Sequence, residues 1–137
     1  MILMDTGPLV ALCDPSDYLN AAALKHLKRL SKYRFLVCEP VICEACFHLP
    51  HGAQRARLRE ILERLDIEPL LAKDLPLLWN EVFDWLQQYA DPEPDWTDAY
   101  LASLCGLDRK LKLWTYDKEF RTIWRRSDGS RIPLATS

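Results

Sequence analysis

A chain of 137 residues, 49% apolar and 28% charged, has the makeup of an ordinary globular protein and the length to bury a real core as one domain over 1–137. Its formal net charge of −2 argues against a generic nucleic-acid coat, which is basic overall, but leaves room for an enzyme that meets RNA through a local patch. No run of about 18 apolar residues occurs and no basic segment precedes an apolar one at the start, so neither a membrane span nor a signal peptide is expected.

Residues 2–4 are apolar and run into a turn signal, the pattern of a buried parallel strand. Thr6 can cap a helix whose early turn holds Pro8 and whose body is Leu9, Val10, Ala11 and Leu12. Asp14-Pro15-Ser16-Asp17 breaks that helix. Over 18–30, apolar residues fall at 19, 23, 24, 27 and 30 with Lys25, Lys28 and Arg29 outside, a helical period. Residues 34–38 (RFLVC) read as the second strand, and Pro40 and Pro50 bracket a helix over 41–49. A helix over 53–65, a weaker third strand over 67–71 and a helix over 75–89 follow, the last stopped by Asp91-Pro92-Glu93-Pro94. Residues 95–107 are again helical, 111–115 (LKLWT) form the fourth strand, 118–124 a short helix and 131–134 a fifth strand. Strands alternate with helices throughout, which predicts an α/β fold: three α/β/α layers around a central, mostly parallel sheet of about five strands. With no export signal, the five cysteines (13, 38, 43, 46 and 105) read as reduced thiols in a cytoplasmic protein.

In an open parallel sheet, ligands bind beyond the carboxyl ends of the strands. Asp5 ends the first strand and Asp117 follows the fourth, each with a threonine within two residues, Thr6 and Thr115. Glu44 lies one turn into the helix after the second strand, an acid among Val41, Ile42, Cys43, Ala45, Cys46 and Phe47. Asp98 lies in the first turn of the helix that begins at Asp95. Every strand of a parallel sheet ends on one edge, so Asp5, Glu44, Asp98 and Asp117 can ring a single pocket with Asp95 beside it. Bare carboxylates so crowded repel one another. A hard divalent cation such as Mg²⁺ relieves that repulsion while binding one or two of them directly. Each acid also has a local reading: Asp95 as a helix N-cap, Asp98 as its capping-box partner, Asp117 as a cap of the short helix, Glu44 as a solvated side chain.

Taken together, Asp5-Thr6 after a strand, Val41-x-x-Glu44, Asp95-x-x-Asp98-Ala99 and Thr115-x-Asp117-x-x-Phe120 resemble the PIN-domain nucleases, in particular the VapC-type toxins of prokaryotic toxin–antitoxin pairs. The resemblance spans essentially the whole chain. It implies an endoribonuclease whose acidic quartet falls on Asp5, Glu44, Asp98 and Asp117, with Mg²⁺ or Mn²⁺ held by Asp5, Asp98 and Asp117. Asp95 is then an auxiliary acid, and Thr6 and Thr115 are hydroxyl supports. It further implies a homodimer and a small antitoxin partner. RNA contacts fall to cations near the site, foremost Arg121, Arg125 and Arg126, with Arg109, Lys110, Lys112 and Arg131 as further candidates. Trp96 and Trp124 are candidates for base stacking, with burial the commoner fate of tryptophan.

Asp5-Thr6-Gly7 alone also matches half of an aspartic-protease dyad, but that reading needs an all-β chain, and 9–12, 24–30 and 58–65 read as helices. A haloacid-dehalogenase phosphatase wants Asp-x-Asp after the first strand, where Gly7 stands, and a phosphoryl receiver wants paired acids there. Cys43-x-x-Cys46-x-His48-x-x-His51 invites a zinc reading, but its spacing is too short for a finger and a helix over 41–49 points these side chains apart. A non-catalytic PIN-like binding module and a DNA-directed nuclease of the same fold remain as alternatives.

Overall fold

Ile2, Leu3 and Met4 are fully buried because the first strand is covered on both faces, as the central strand of a parallel sheet must be. The computed structural model describes residues 1–136. In chain order its elements are β1 (Ile2–Met4), α1 (Thr6–Cys13), α2 (Asn20–Leu30), β2 (Phe35–Val37), α3 (Glu39–His48), α4 (Gly52–Arg64), β3 (Glu68–Pro69), α5 (Leu75–Leu86), α6 (Trp96–Leu107), β4 (Lys112–Trp114) and α7 (Glu119–Thr122). The strands form one parallel sheet in the order β3-β2-β1-β4, flanked by helices in an α/β/α arrangement. Helix α1 packs on α2, α3 and α4, while α5 packs on α6 and α3 meets α6.

The strand order carries the functional logic. From β1 the chain steps outward through β2 and β3, then returns to the other side of β1 to make β4. The crevice between the carboxyl ends of β1 and β4 is therefore the topological switch point, where open α/β sheets bind ligands. Register Met4↔Trp114 puts the residues that follow, Asp5 and Thr115, side by side.

Residues 131–134, expected as a fifth strand, reach the sheet through one parallel bridge from Leu134 to Leu113, outside β4. Leu113 N donates to Pro133 O at 2.8 Å and Ala135 N to Leu113 O at 2.8 Å, after which the pairing stops. Pro133 has no N–H to give a ladder, which limits its length. Several boundaries also shift. Helix α1 is capped by Asp5, not Thr6: Asp5 is extended (φ −83°, ψ 168°) and its carboxylate accepts from Thr6 N. Helix α2 begins only at Asn20, because Asp17 turns the chain by accepting from Leu19 N. Ala23 and Leu30 point inward as the period requires, but Leu24 is 49% exposed. Helix α4 ends in a Schellman motif without glycine: Asp66 has φ 52°, Ile67 N donates to Leu62 O and Asp66 N to Glu63 O. Helix α5 stops at Leu86, three residues short of the expected end.

Candidate active site

Asp5 stands where β1 becomes α1, and both of its carboxylate oxygens are engaged. One accepts from Thr6 N at 2.7 Å and the other from Thr115 Oγ1 at 2.7 Å. Because Asp5 takes the capping role, Thr6 enters the helix and its hydroxyl is free to donate to Glu44 Oε2 at 2.9 Å. Glu44 is half-buried on α3, held toward the site by that bond instead of lying in solvent. Thr115 Oγ1 also accepts from Asp117 N at 3.0 Å, and Asp117 Oδ1 accepts from Glu119 N at 3.0 Å to start the turn into α7. On α6, Asp98 N donates to Asp95 Oδ1 at 2.8 Å and Asp95 N to Asp98 Oδ2 at 3.0 Å, a reciprocal capping box.

These side chains line one cavity of about 380 Å³, bordered by Asp5, Thr6, Glu44, Asp95, Asp98 and Asp117. All four acids of the expected quartet and the auxiliary Asp95 are thus brought to one concavity at the β1/β4 switch point. Burial pushes the Asp5 carboxyl up to about 6, with the charges of Glu44 and Asp95 adding to the shift against the lowering effect of its hydrogen bonds. Asp98 is raised by burial and by the charges of Asp95 and Asp5. Asp117 is raised chiefly by burial, with the charges of Glu119 and Asp5 contributing. Asp5 therefore feels, or is felt by, every other acid of the cavity, and the pocket favours a cation over bare carboxylates.

Among the described residues no three His, Cys, Asp or Glu side chains are grouped tightly enough to form a ready-made metal centre. The donor set nevertheless fits a hard cation: the acids are all oxygen donors, and Asp5, Asp98 and Asp117 are partly or fully withdrawn from solvent and disfavoured in their charged forms by burial and by neighbouring acids. Acids lining a cavity without closing on a point suit an ion that keeps several of its waters, as Mg²⁺ does. Zinc has no comparable set. Cys43 is exposed, Cys46 is half-buried, and His51 caps α4, its N–H donating to Gln54 Oε1.

The cations divide. Arg121 is exposed on α7, four residues past Asp117. Arg125 is half-buried and donates to the carbonyl of Trp124 at 3.0 Å. Arg126 does not match the expected RNA-facing role: it is 8% exposed, and its Nε donates to Cys105 O at 3.0 Å near the end of α6. A guanidinium there satisfies a terminal carbonyl and complements the helix dipole, which is a folding role. Trp124 is buried core beside Phe120 and Trp85, whereas Trp96 is half-buried against Phe83 at 5.0 Å between ring centres.

The sequence profile of the family described as PIN domain matches residues 2–124. The chain belongs to the PIN-domain family. Among solved structures, this PIN domain is similar to the crystal structure of Mycobacterium tuberculosis VapC20, a sarcin-ricin loop cleaving toxin, at a TM-score of 0.66 and 22% identity. The likeness covers 88% of this chain and 93% of VapC20, and at that identity it speaks for the fold. No curated protein matches the chain.

The cavity of this PIN domain also contains residues that the sequence motifs pass over. Tyr116 is the unspecified middle residue of Thr115-x-Asp117, and His48 lies four residues, one helical turn, beyond Glu44. That helical spacing was a usable signal for His48. Nothing in the sequence pairs Tyr116 with His26, whose Nδ1 lies 2.8 Å from the Tyr116 hydroxyl.

Proposed function

We propose that this protein is a metal-dependent endoribonuclease, a single PIN-like domain over 1–137 acting as the toxin of a toxin–antitoxin pair in the cytoplasm. The observation that carries the reading is the position of Asp5 at the β1/β4 switch point, in the field of Glu44, Asp98 and Asp117 and tied to Thr115 across the crevice. Asp5, Asp98 and Asp117 would hold Mg²⁺ or Mn²⁺, which when bound supplies an activated water and stabilises charge on the phosphodiester oxygens. Thr115 orients Asp5, and Thr6 orients Glu44, so each threonine fixes one carboxylate by a hydrogen bond of under 3 Å. Without a cation the carboxylates repel the phosphate backbone, which couples RNA binding to metal occupancy. Arg121, and to a lesser degree Arg125, would contribute phosphate contacts that give affinity without sequence readout.

The toxin role is supported by the similarity to VapC20, a toxin, and the antitoxin partner and homodimer by the resemblance of the acidic motifs to VapC-type toxins together with the surface. Leu71, Leu75, Leu77, Trp79, Phe83 and Leu107 are all exposed. Leu71, Leu77 and Leu107 line one concavity and Leu75, Trp79 and Phe83 fall at i, i+4 spacing along α5, and exposed apolar groups of this kind mark protein-contact surface. No helix among the described residues is long and apolar enough to cross a membrane.

The test is cleavage of a mixed pool of tRNA and structured RNA, with single-stranded DNA alongside, by purified protein in Mg²⁺, Mn²⁺ or EDTA. Metal-dependent cutting of RNA that Asp98→Asn lowers by more than the roughly 10–100-fold typical of an outer-shell loss supports the reading. Cutting of DNA alone would make it a nuclease of the other substrate class. No cutting and no metal binding by calorimetry would make it a binding module.

A further inference from the structure

Tyr116 forms part of the cavity wall between Asp117 and the Gly7 turn, and it is held there from several sides. Its hydroxyl lies 2.8 Å from His26 Nδ1, on a helix 90 residues away in sequence. Its ring tilts against the His26 ring at 5.7 Å and meets the edge of buried Trp114 at 6.4 Å. Trp114 in turn packs edge-on to His26 at 6.5 Å, so the three rings brace one another. A Cβ placed on Gly7 would lie 3.7 Å from Tyr116 Cδ2, so one edge of the ring rests against the first turn of α1, while the rest of this half-buried residue borders the acid cavity. A half-buried tyrosine hydroxyl ordinarily finds such a partner; what bears on the cavity is that this partner lies on a separate helix and so holds a ring that borders the acids. Tethering fixes the ring plane, which matters when a second planar group must lie against it. The cavity, about 380 Å³, has room for a nucleotide beside the acids.

Resting on the nuclease reading above, we infer that Tyr116 is the base-contacting residue of the acid cavity, its ring stacking on a nucleobase next to the scissile phosphate, and that His26 is a positioning residue that sets the ring's orientation. Stacking tolerates every base but favours the larger purine face, so the site prefers an adenine over a uracil there. The hydroxyl, directed at His26, takes no part in metal binding, and the acids work without it.

The experiment measures binding of fluorescein-labelled oligoadenylate and oligouridylate RNA, in Mg²⁺ at low temperature, to wild type, Tyr116→Leu, Tyr116→Phe, His26→Phe and the Tyr116→Phe/His26→Phe double variant. Magnesium binding and thermal melts are recorded in parallel. Tyr116→Leu should weaken oligoadenylate binding about tenfold, consistent with the loss of one stacked base, and level the difference between the two RNAs. Tyr116→Phe keeps the ring and should stay within about threefold of wild type, and His26→Phe should add nothing in that background, because the tether is already gone. Magnesium affinity should not move. Should Tyr116→Leu fold and bind both RNAs as wild type does while wild type cleaves, the stacking role is wrong and the nuclease reading stands. Should wild type bind neither RNA nor Mg²⁺, both fall together. A His26→Phe effect of equal size in the wild-type and Tyr116→Phe backgrounds would remove the positioning role and leave the stacking one.

Discussion

Thr115 Oγ1 donates to Asp5 Oδ2 at 2.7 Å across 110 residues of sequence, and this bond joins the ends of β1 and β4 where the sheet reverses its winding. The same oxygen accepts from Asp117 N, so one hydroxyl fixes the two strand-end acids relative to each other. Thr115 is 7% exposed and Asp5 8% exposed, and water does not readily replace either bond.

Thr115→Val keeps the shape and removes the hydroxyl. A buried carboxylate oxygen and a backbone N–H then lose their partners, at a cost of about 1–3 kcal/mol. Urea denaturation should show that loss, and cleavage should fall with it because Asp5 is no longer held toward Asp117. Thr115→Ser, which restores the donor, should recover most of both.

Metal-free stability should decline as pH rises. Asp5 has its ordinary value of 3.8 when unfolded and about 6 when folded, so the folded chain keeps the proton longer. The stabilisation is fully present below pH 3.8 and is lost as pH rises through 6. The charged form then costs about 3 kcal/mol, at about 1.4 kcal/mol for each unit of pKa. Asp98 and Asp117 are displaced in the same direction. Melting temperatures in EDTA should therefore be lower at pH 8 than at pH 5.5 in the part due to these acids, and Mg²⁺ should raise them selectively at pH 8. Asp5→Asn should flatten the profile and abolish cleavage. A magnesium shift that is the same at both pH values would show that the ion binds elsewhere.

Asp95 and Asp98 should separate on substitution. Asparagine caps a helix about as well as aspartate, so Asp95→Asn should leave the melting temperature within about 2 °C and lower cleavage about tenfold, the scale of an auxiliary group. Asp98→Asn should cost far more activity. Equal losses would make Asp95 a direct ligand.

Arg126 and Arg121 should act on different quantities. Arg126→Met removes the donor to Cys105 O and should destabilise the protein by about 1–3 kcal/mol without changing the salt dependence of RNA binding. Arg121→Ala, on an exposed helix, should change stability by less than about 0.5 kcal/mol. It should also reduce the slope of log affinity against log salt by about one phosphate contact.

The acidic constellation was legible in the sequence because its parts are local. Strand-end acids, a helix-start acid and a short apolar strand before Asp5 are read off spacing, and a parallel sheet carries all such ends to one edge. The order of alternating elements likewise determined an α/β/α fold, since the short continuous apolar run at 2–4, bounded by a turn signal, differs plainly from the 3.6-residue period over 18–30. What only tertiary structure decided was which oxygen faces which. Whether Asp5 or Thr6 caps α1 depends on a backbone angle, and that choice frees Thr6 for Glu44, 38 residues on. Arg126 looked like a surface cation in a basic stretch and became a buried donor to α6, because a hairpin-like turn through Gly129 (φ 86°) folds it under that helix's end. The pairing of His26 with Tyr116, like the thinning of the fifth strand to one bridge at Leu134, depends on contacts between segments far apart in the chain. Local periodicity carries no information about such contacts; they exist only once the sheet order has placed α2 beside the end of β4.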